Sequence, residues 1–180
     1  PIPILPEVIP YGSVSCDGLC LGLSTERVTP VGYDWKKQHY LLISGMEQSG
    51  KSNLLQVLAQ QMKYAHGASL VAFDICRSGL HVLRPLCREY LTEAAEMDDA
   101  LQRMRPELQQ RQREKALNPQ AVFPPMVLIL DDYVQLFQAI SNESAMRLQA
   151  MVKLAAGLDV YLLVAADAFG FASLVNKGEE

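Results

Sequence analysis

Short apolar runs at 39–44, 69–74, 126–130 and 159–166 predict strands, and the unbroken runs at 126–130 and 159–166 predict strands covered on both faces. Between the strands the apolar spacing changes. Residues 53–62 read as a helix. From Glu93 to about Leu117, Met97, Leu101, Met104 and Leu108 recur at spacings of four, three and four, which puts them on one helical face. Pro106 is expected to kink or restart that helix, and Asn118-Pro119 to end it. A further helix over 144–156 carries Met146, Ala150 and Leu154 in register and stops at Gly157. Residues 80–90, with Pro85 among them, fit neither period cleanly. Strands alternating with helices predict an α/β fold with a mainly parallel sheet.

The opening of the chain is different. Pro1, Pro3, Pro6 and Pro10 punctuate residues 1–18, which read as an extended Pro-rich linker docked on the domain. Residues 19–24 and 27–33 are short strand candidates broken by Gly and Pro, suited to a hairpin or an edge addition. The domain itself is expected over 19–180. The start at Pro1 and the end soon after the last strand suggest a piece cut from a longer polypeptide, truncated at its C-terminal end.

Composition narrows the reading. The 180 residues are 49% hydrophobic, enough for one buried core. A net charge of −4 and a pI near 5.4 argue against a broad nucleic-acid surface. Cys16, Cys20, Cys76 and Cys87 form no C-x-x-C pair and are expected as small, partly buried thiols in a reducing compartment. His39, His66 and His81 lie far apart, so no histidine metal site is expected. No apolar run is long enough to span a membrane, and no signal peptide is visible.

The most specific chemistry lies between the first core strand and the first helix. Gly45-Met46-Glu47-Gln48-Ser49-Gly50-Lys51-Ser52, followed by Asn53, fits G-x-x-x-x-G-K-[ST]. Such a loop turns backbone N–H groups inward as an anion-binding nest, and the helix behind it adds the positive end of its dipole. Lys51 is placed to reach the β- and γ-phosphates of a nucleotide, and the Ser52 hydroxyl to ligate Mg²⁺. The expected cofactors are therefore ATP and Mg²⁺, with Gly45 to Asn53 as the binding segment.

A second acidic signature follows far downstream. The apolar strand 126–130 runs into Asp131-Asp132, which resembles a Walker B strand. Asp131 is expected to bind Mg²⁺ with Ser52, and Asp132 to orient or deprotonate the attacking water. Asp is one methylene shorter than the Glu found there in many motor ATPases, and water positioning tolerates little error. Arg103, Arg105, Arg111, Arg113 and Lys115 form a basic cluster. It reads as a solvated helix face, as an arginine finger supplied to a neighbouring subunit by Arg111 or Arg113, or as a contact for a nucleic-acid backbone.

With these segments and the Glu107-to-Arg113 stretch in view, nearly the whole chain resembles the FtsK/SpoIIIE class of ATPases, and within it the ATPase domains of the EssC/EccC motor of type VII (ESX) secretion. The segment from Gly22 to Gly45 resembles the approach to that family's phosphate loop. The resemblance implies a RecA-like P-loop NTPase fold with a short N-terminal β addition. It also implies a cytoplasmic domain of a bacterial membrane-anchored protein, tandem neighbours in the same chain, a homo-oligomeric ring, and small helical WXG-type export substrates. Three positions depart from the family: Asp132 at the catalytic acid, Ala165-Ala166-Asp167 where relatives carry a polar sensor such as Ala-Thr-Gln, and Ile75 to Gly79 where relatives often have Lys and glycines after the strand. They point to a downstream domain of the tandem, the third, with ATP bound and hydrolysed slowly or in a regulatory role.

Two other functions compete. A DNA translocase motor of the FtsK kind would show hydrolysis stimulated by duplex DNA and steeply dependent on salt. A non-enzymatic module with a vestigial loop would have no physical need to keep Lys51, Ser52 and Asp131 together.

Overall fold

The computed structural model describes residues 4–10, 12–75, 77, 79–155 and 157–167. Cys76, the expected helix end at 156 and residues 177–180 lie outside them. The chain divides into two units between Gln38 and His39.

The first unit holds β1 (Leu19–Leu23) and β2 (Pro30–Tyr33), an antiparallel pair in register Leu19↔Tyr33 with a bulge between Cys20 and Gly22. Gly18 is required by its surroundings: at φ +85 a Cβ there would stand 2.2 Å from the Tyr33 carbonyl oxygen.

In the second unit the elements run β3 (Tyr40–Gly45), α1 (Lys51–His66), β4 (Ser69–Asp74), a 3₁₀ turn (Leu80–Leu86) and β5 (Cys87–Leu91). They continue as α2 (Ala94–Leu117), β6 (Met126–Asp131), α3 (Tyr133–Ala139), α4 (Asn142–Ala155) and β7 (Val160–Asp167). The five strands form one parallel sheet in the order β3-β7-β6-β4-β5. This is the α/β architecture with a parallel sheet flanked by helices that the strand–helix alternation predicts. The ambiguous stretch 80–90 resolves into a 3₁₀ turn that carries Pro85 and an edge strand.

Strands β4, β6 and β7 are buried on both faces, while β3 leaves Tyr40 and Leu42 exposed. Val71 and Phe73 of β4, Leu128 and Leu130 of β6 and Leu162 of β7 pack with Met97, Leu101, Met104 and Leu108 of α2 and with Leu148 and Met151 of α4. Each such side chain contributes about 1.5–3 kcal/mol by leaving water. Strand residues alternate, so Leu70, Ala72, Val127 and Ile129 face the opposite side, where α1 buries Leu55, Leu58, Ala59 and Met62. Helix α1 ends where Gly67 turns left-handed at φ 65 and its N–H bonds the Lys63 carbonyl at 3.1 Å.

Two helices depart from expectation. Pro106 lies inside α2 without breaking it. The N–H it lacks would have met the carbonyl of Gln102, and both residues are exposed, so the missing bond falls on the solvent side of the helix. In α4 the periodic set Met146, Ala150 and Leu154 is the exposed side, with Met146 at 70%, while Ser144, Leu148 and Met151 face inward. The helix is apolar on two faces, and period alone does not choose between them.

Candidate functional site

The site forms where the C-terminal ends of β3, β6 and β7 meet the start of α1, the usual ligand crevice of an open parallel sheet. A cleft of about 660 Å³ there is lined by residues 47–53, Asp131, Asp132, Gln135, Ala166 and Asp167. The loop from Gly45 to Gly50 bends sharply. Gln48 adopts φ 58, Gly50 caps α1 at φ 89, and a Cβ on Gly45 would stand 2.5 Å from the Ser49 hydroxyl. A side chain at the first position of the loop would therefore force the Ser49 hydroxyl to turn away.

Lys51 folds back over this loop, and its ammonium donates to the carbonyls of Gly45 at 2.9 Å and Met46 at 2.8 Å. On the next residue of the same helix, the Ser52 hydroxyl donates to Asp131 Oδ2 at 3.0 Å. Asp131 is 3% exposed at the end of β6. A hydroxyl and a carboxylate meeting beside a phosphate loop are hard oxygen donors that suit Mg²⁺, which takes few protein ligands and completes its shell from phosphate and water. The residues present thus fit the metal-nucleotide pair that the motif implies. Lys51 is the one cation among the described residues lining the cleft, set against Glu47, Asp131, Asp132 and Asp167. The balance of charge disfavours a bare polyphosphate and favours one that arrives with a divalent cation.

Asp132 is also in the cleft, with its backbone left-handed at φ 57 and ψ 76. Its Oδ1 accepts the N–H of Gln135 at 3.1 Å and so caps α3. One residue, Gln135, escapes the sequence reading here, whereas Asp167 is singled out there as standing at the family's sensor position. Gln135 lines the cleft on a helix too short for periodicity to show, although Asp132-x-x-Gln135 carries the cap-and-third-position pattern of a helix start. Asp167 ends β7 in register with Gly45, which brings its charge to the loop itself.

The arginines lie elsewhere. Arg111 is 7% exposed; it donates to the Leu158 carbonyl at 2.9 Å and to Glu107 Oε1 at 3.0 Å, and its guanidinium lies 5.4 Å from the Phe123 ring centre. Leu158 precedes β7, so this cluster sits at the end of the sheet away from the phosphate loop. Arg113 is exposed on the same helix. Arg103 pairs with Glu89 at 2.5 Å.

No protein-family profile matches the chain. In sequence it is 26% identical over 164 residues to the ESX secretion system protein EccC of Geobacillus thermodenitrificans (strain NG80-2), taking in 84% of this chain and 11% of that protein. In fold it matches EssC (ATPases 2 and 3) from G. thermodenitrificans with a TM-score of 0.75 at 26% identity, over 86% of this chain and 30% of that one. Thermomonospora curvata EccC (ATPases 2 and 3), solved in complex with a signal sequence peptide, aligns with a TM-score of 0.76 at 21% identity, over 97% of this chain and 34% of that one. This chain therefore spans only a fraction of each of these relatives. In sequence and fold together, it resembles the P-loop ATPase domains of EccC and EssC, the FtsK/SpoIIIE-class proteins of type VII secretion.

Proposed function

We propose that this chain binds ATP with Mg²⁺ at Gly45 to Asn53, Asp131 and Asp132, as one ATPase domain of a type VII secretion motor. The observation that carries the reading is the Ser52–Asp131 hydrogen bond at 3.0 Å beside Lys51, because it joins the two halves of a metal-nucleotide site from distant parts of the sequence. Hydrolysis is slow and serves regulation. The Asp132 carboxylate is engaged in capping α3, and Asp167 adds negative charge where the transition state also builds it. The parent polypeptide is anchored in the bacterial plasma membrane with this domain on the cytoplasmic side. Among the described residues no helix is long and apolar enough to cross a membrane. Neighbouring ATPase domains of the same chain and a homo-oligomeric ring are its partners. Recognition of small helical WXG-type export substrates is its second task, a reading supported by the relative solved with a signal sequence peptide.

Calorimetry of ATP binding with Mg²⁺ and with EDTA, beside steady-state turnover, tests this. Mg²⁺-dependent binding with turnover below about 1 s⁻¹ is expected. Absence of ATP binding, turnover of tens per second without any partner, or hydrolysis strongly stimulated by duplex DNA overturns it. The last outcome would instead favour a DNA translocase.

A further inference from the structure

The strand beside β6 ends in a second acid for which the reading above has no use. Asp74 closes β4, Asp131 closes β6, and the two are register partners in parallel strands. Such partners lie about 4.8 Å apart and send their side chains to the same face of the sheet. Here it is the α1 face, because the alternating Phe73 and Leu130 belong to the opposite core and Asp131 meets Ser52 on α1. Both carboxylates are buried, Asp74 at 1% exposure.

Asp74 is also held in place. Tyr90 of β5 donates its hydroxyl hydrogen to Asp74 Oδ2. Burial first, and the bond to Asp74 second, push the Tyr90 phenol above its ordinary range, so it stays a donor at physiological pH. The Arg84 guanidinium lies 5.8 Å from the Tyr90 ring centre and covers it. Two buried carboxylates at neighbouring strand ends repel one another, and a divalent cation beside them offsets that repulsion. A carboxylate kept only to end a strand needs neither this neighbour nor a tyrosine that fixes its direction.

We propose that Asp74, fixed by Tyr90, is a positioning residue of the Mg²⁺ site: it supplies a second negative charge behind Asp131 and raises the share of ATP affinity that depends on the metal. This inference rests on the reading that Ser52 and Asp131 hold Mg²⁺ with ATP. Asp74 does not line the cleft, so its effect is on the metal and on Asp131.

The test is the ratio of ATP dissociation constants in EDTA and in Mg²⁺, measured by calorimetry for the wild type, Asp74→Asn, Tyr90→Phe and Asp131→Asn. Asp74→Asn should cut the gain from Mg²⁺ by about tenfold, the usual effect of losing a partner just outside the metal's own ligands. Binding in EDTA should be unchanged or tighter, since a negative charge has left. Tyr90→Phe should move the ratio the same way by a smaller factor. A purely structural Asp74 would lower the melting temperature and leave the ratio unmoved. If both variants stay folded and keep the ratio within about a factor of two, the inference is wrong. If Asp74→Asn does not fold, Tyr90→Phe decides alone, since it preserves the charge. A wild type with no gain from Mg²⁺, or an Asp131→Asn variant that keeps the full gain, overturns the metal reading and this inference with it.

Discussion

The Ser52 hydroxyl and the Asp131 carboxylate lie 79 positions apart in sequence and 3.0 Å apart in space. Helix α1 delivers the first and strand β6 the second, and the parallel sheet brings the two elements together. Ser52→Ala should therefore leave ATP binding in EDTA close to wild type and abolish most of the gain from Mg²⁺. Lys51→Ala should weaken binding in both conditions by about 1.5–3 kcal/mol, the worth of a hydrogen bond to a charged group. Calorimetry separates the two patterns, and unchanged affinity in Lys51→Ala would remove the loop from nucleotide binding.

Asp132 caps α3, and its proposed part in hydrolysis can be separated from that cap. Asp132→Ala loses the cap on α3 and puts an alanine at φ 57, which should lower the unfolding free energy by about 1–3 kcal/mol. Asp132→Asn keeps the cap and tolerates that backbone, so thermal unfolding should stay near wild type while turnover falls. Wild-type turnover in Asp132→Asn would show that its charge takes no part in hydrolysis.

Asp167 faces the loop from the end of β7. Asp167→Gln removes a negative charge from the cleft and should tighten ATP binding in EDTA by about 1 kcal/mol, the scale of a charge–charge contact in a wet site. Turnover should rise with it. A drop in turnover would instead assign Asp167 a constructive role in the reaction.

Arg111 and Arg113 should part company in a stability measurement. Arg111→Ala strips a buried carbonyl and Glu107 of their donor and should cost about 2–3 kcal/mol in chemical denaturation. Exposed Arg113→Ala should stay within about 0.5 kcal/mol of wild type. Arg113 is thus the variant to mix with Lys51→Ala in a forced assembly. Return of hydrolysis in the mixture supports a finger acting between subunits, and no return rejects it.

The four core strands that the apolar runs predict are present; β4, β6 and β7 are buried on both faces and leave an unbroken apolar signature, whereas β3 is half exposed. The phosphate loop was legible because its backbone favours glycine, as at Gly50 with φ +89, and so writes itself into the sequence. Other features left no such mark. Strand β5 and the 3₁₀ turn before it share an apolar stretch too short to show either period. Helix α4 has two apolar faces, and only packing shows that Leu148 is inside and Met146 outside. Pro106 is tolerated because its missing donor falls on the wet side of α2, which depends on how the helix is rotated in the fold. The burial of Arg111 depends on a carbonyl 47 positions away, beyond what helix spacing can report.

Among the described residues, strand β3 has one neighbour in the sheet, β7. Of the described strands of its unit it is the first to leave the ribosome, and its partner is the last. During synthesis the phosphate loop therefore waits for β7 before β3 gains that partner, and the cleft that Asp167 lines is unfinished before then. A nascent chain arrested short of β7 would expose both the edge of β3 and the apolar floor of the sheet, the kind of surface chaperones hold. On the proposed reading, nucleotide stabilises the cleft only after β7 has joined the sheet.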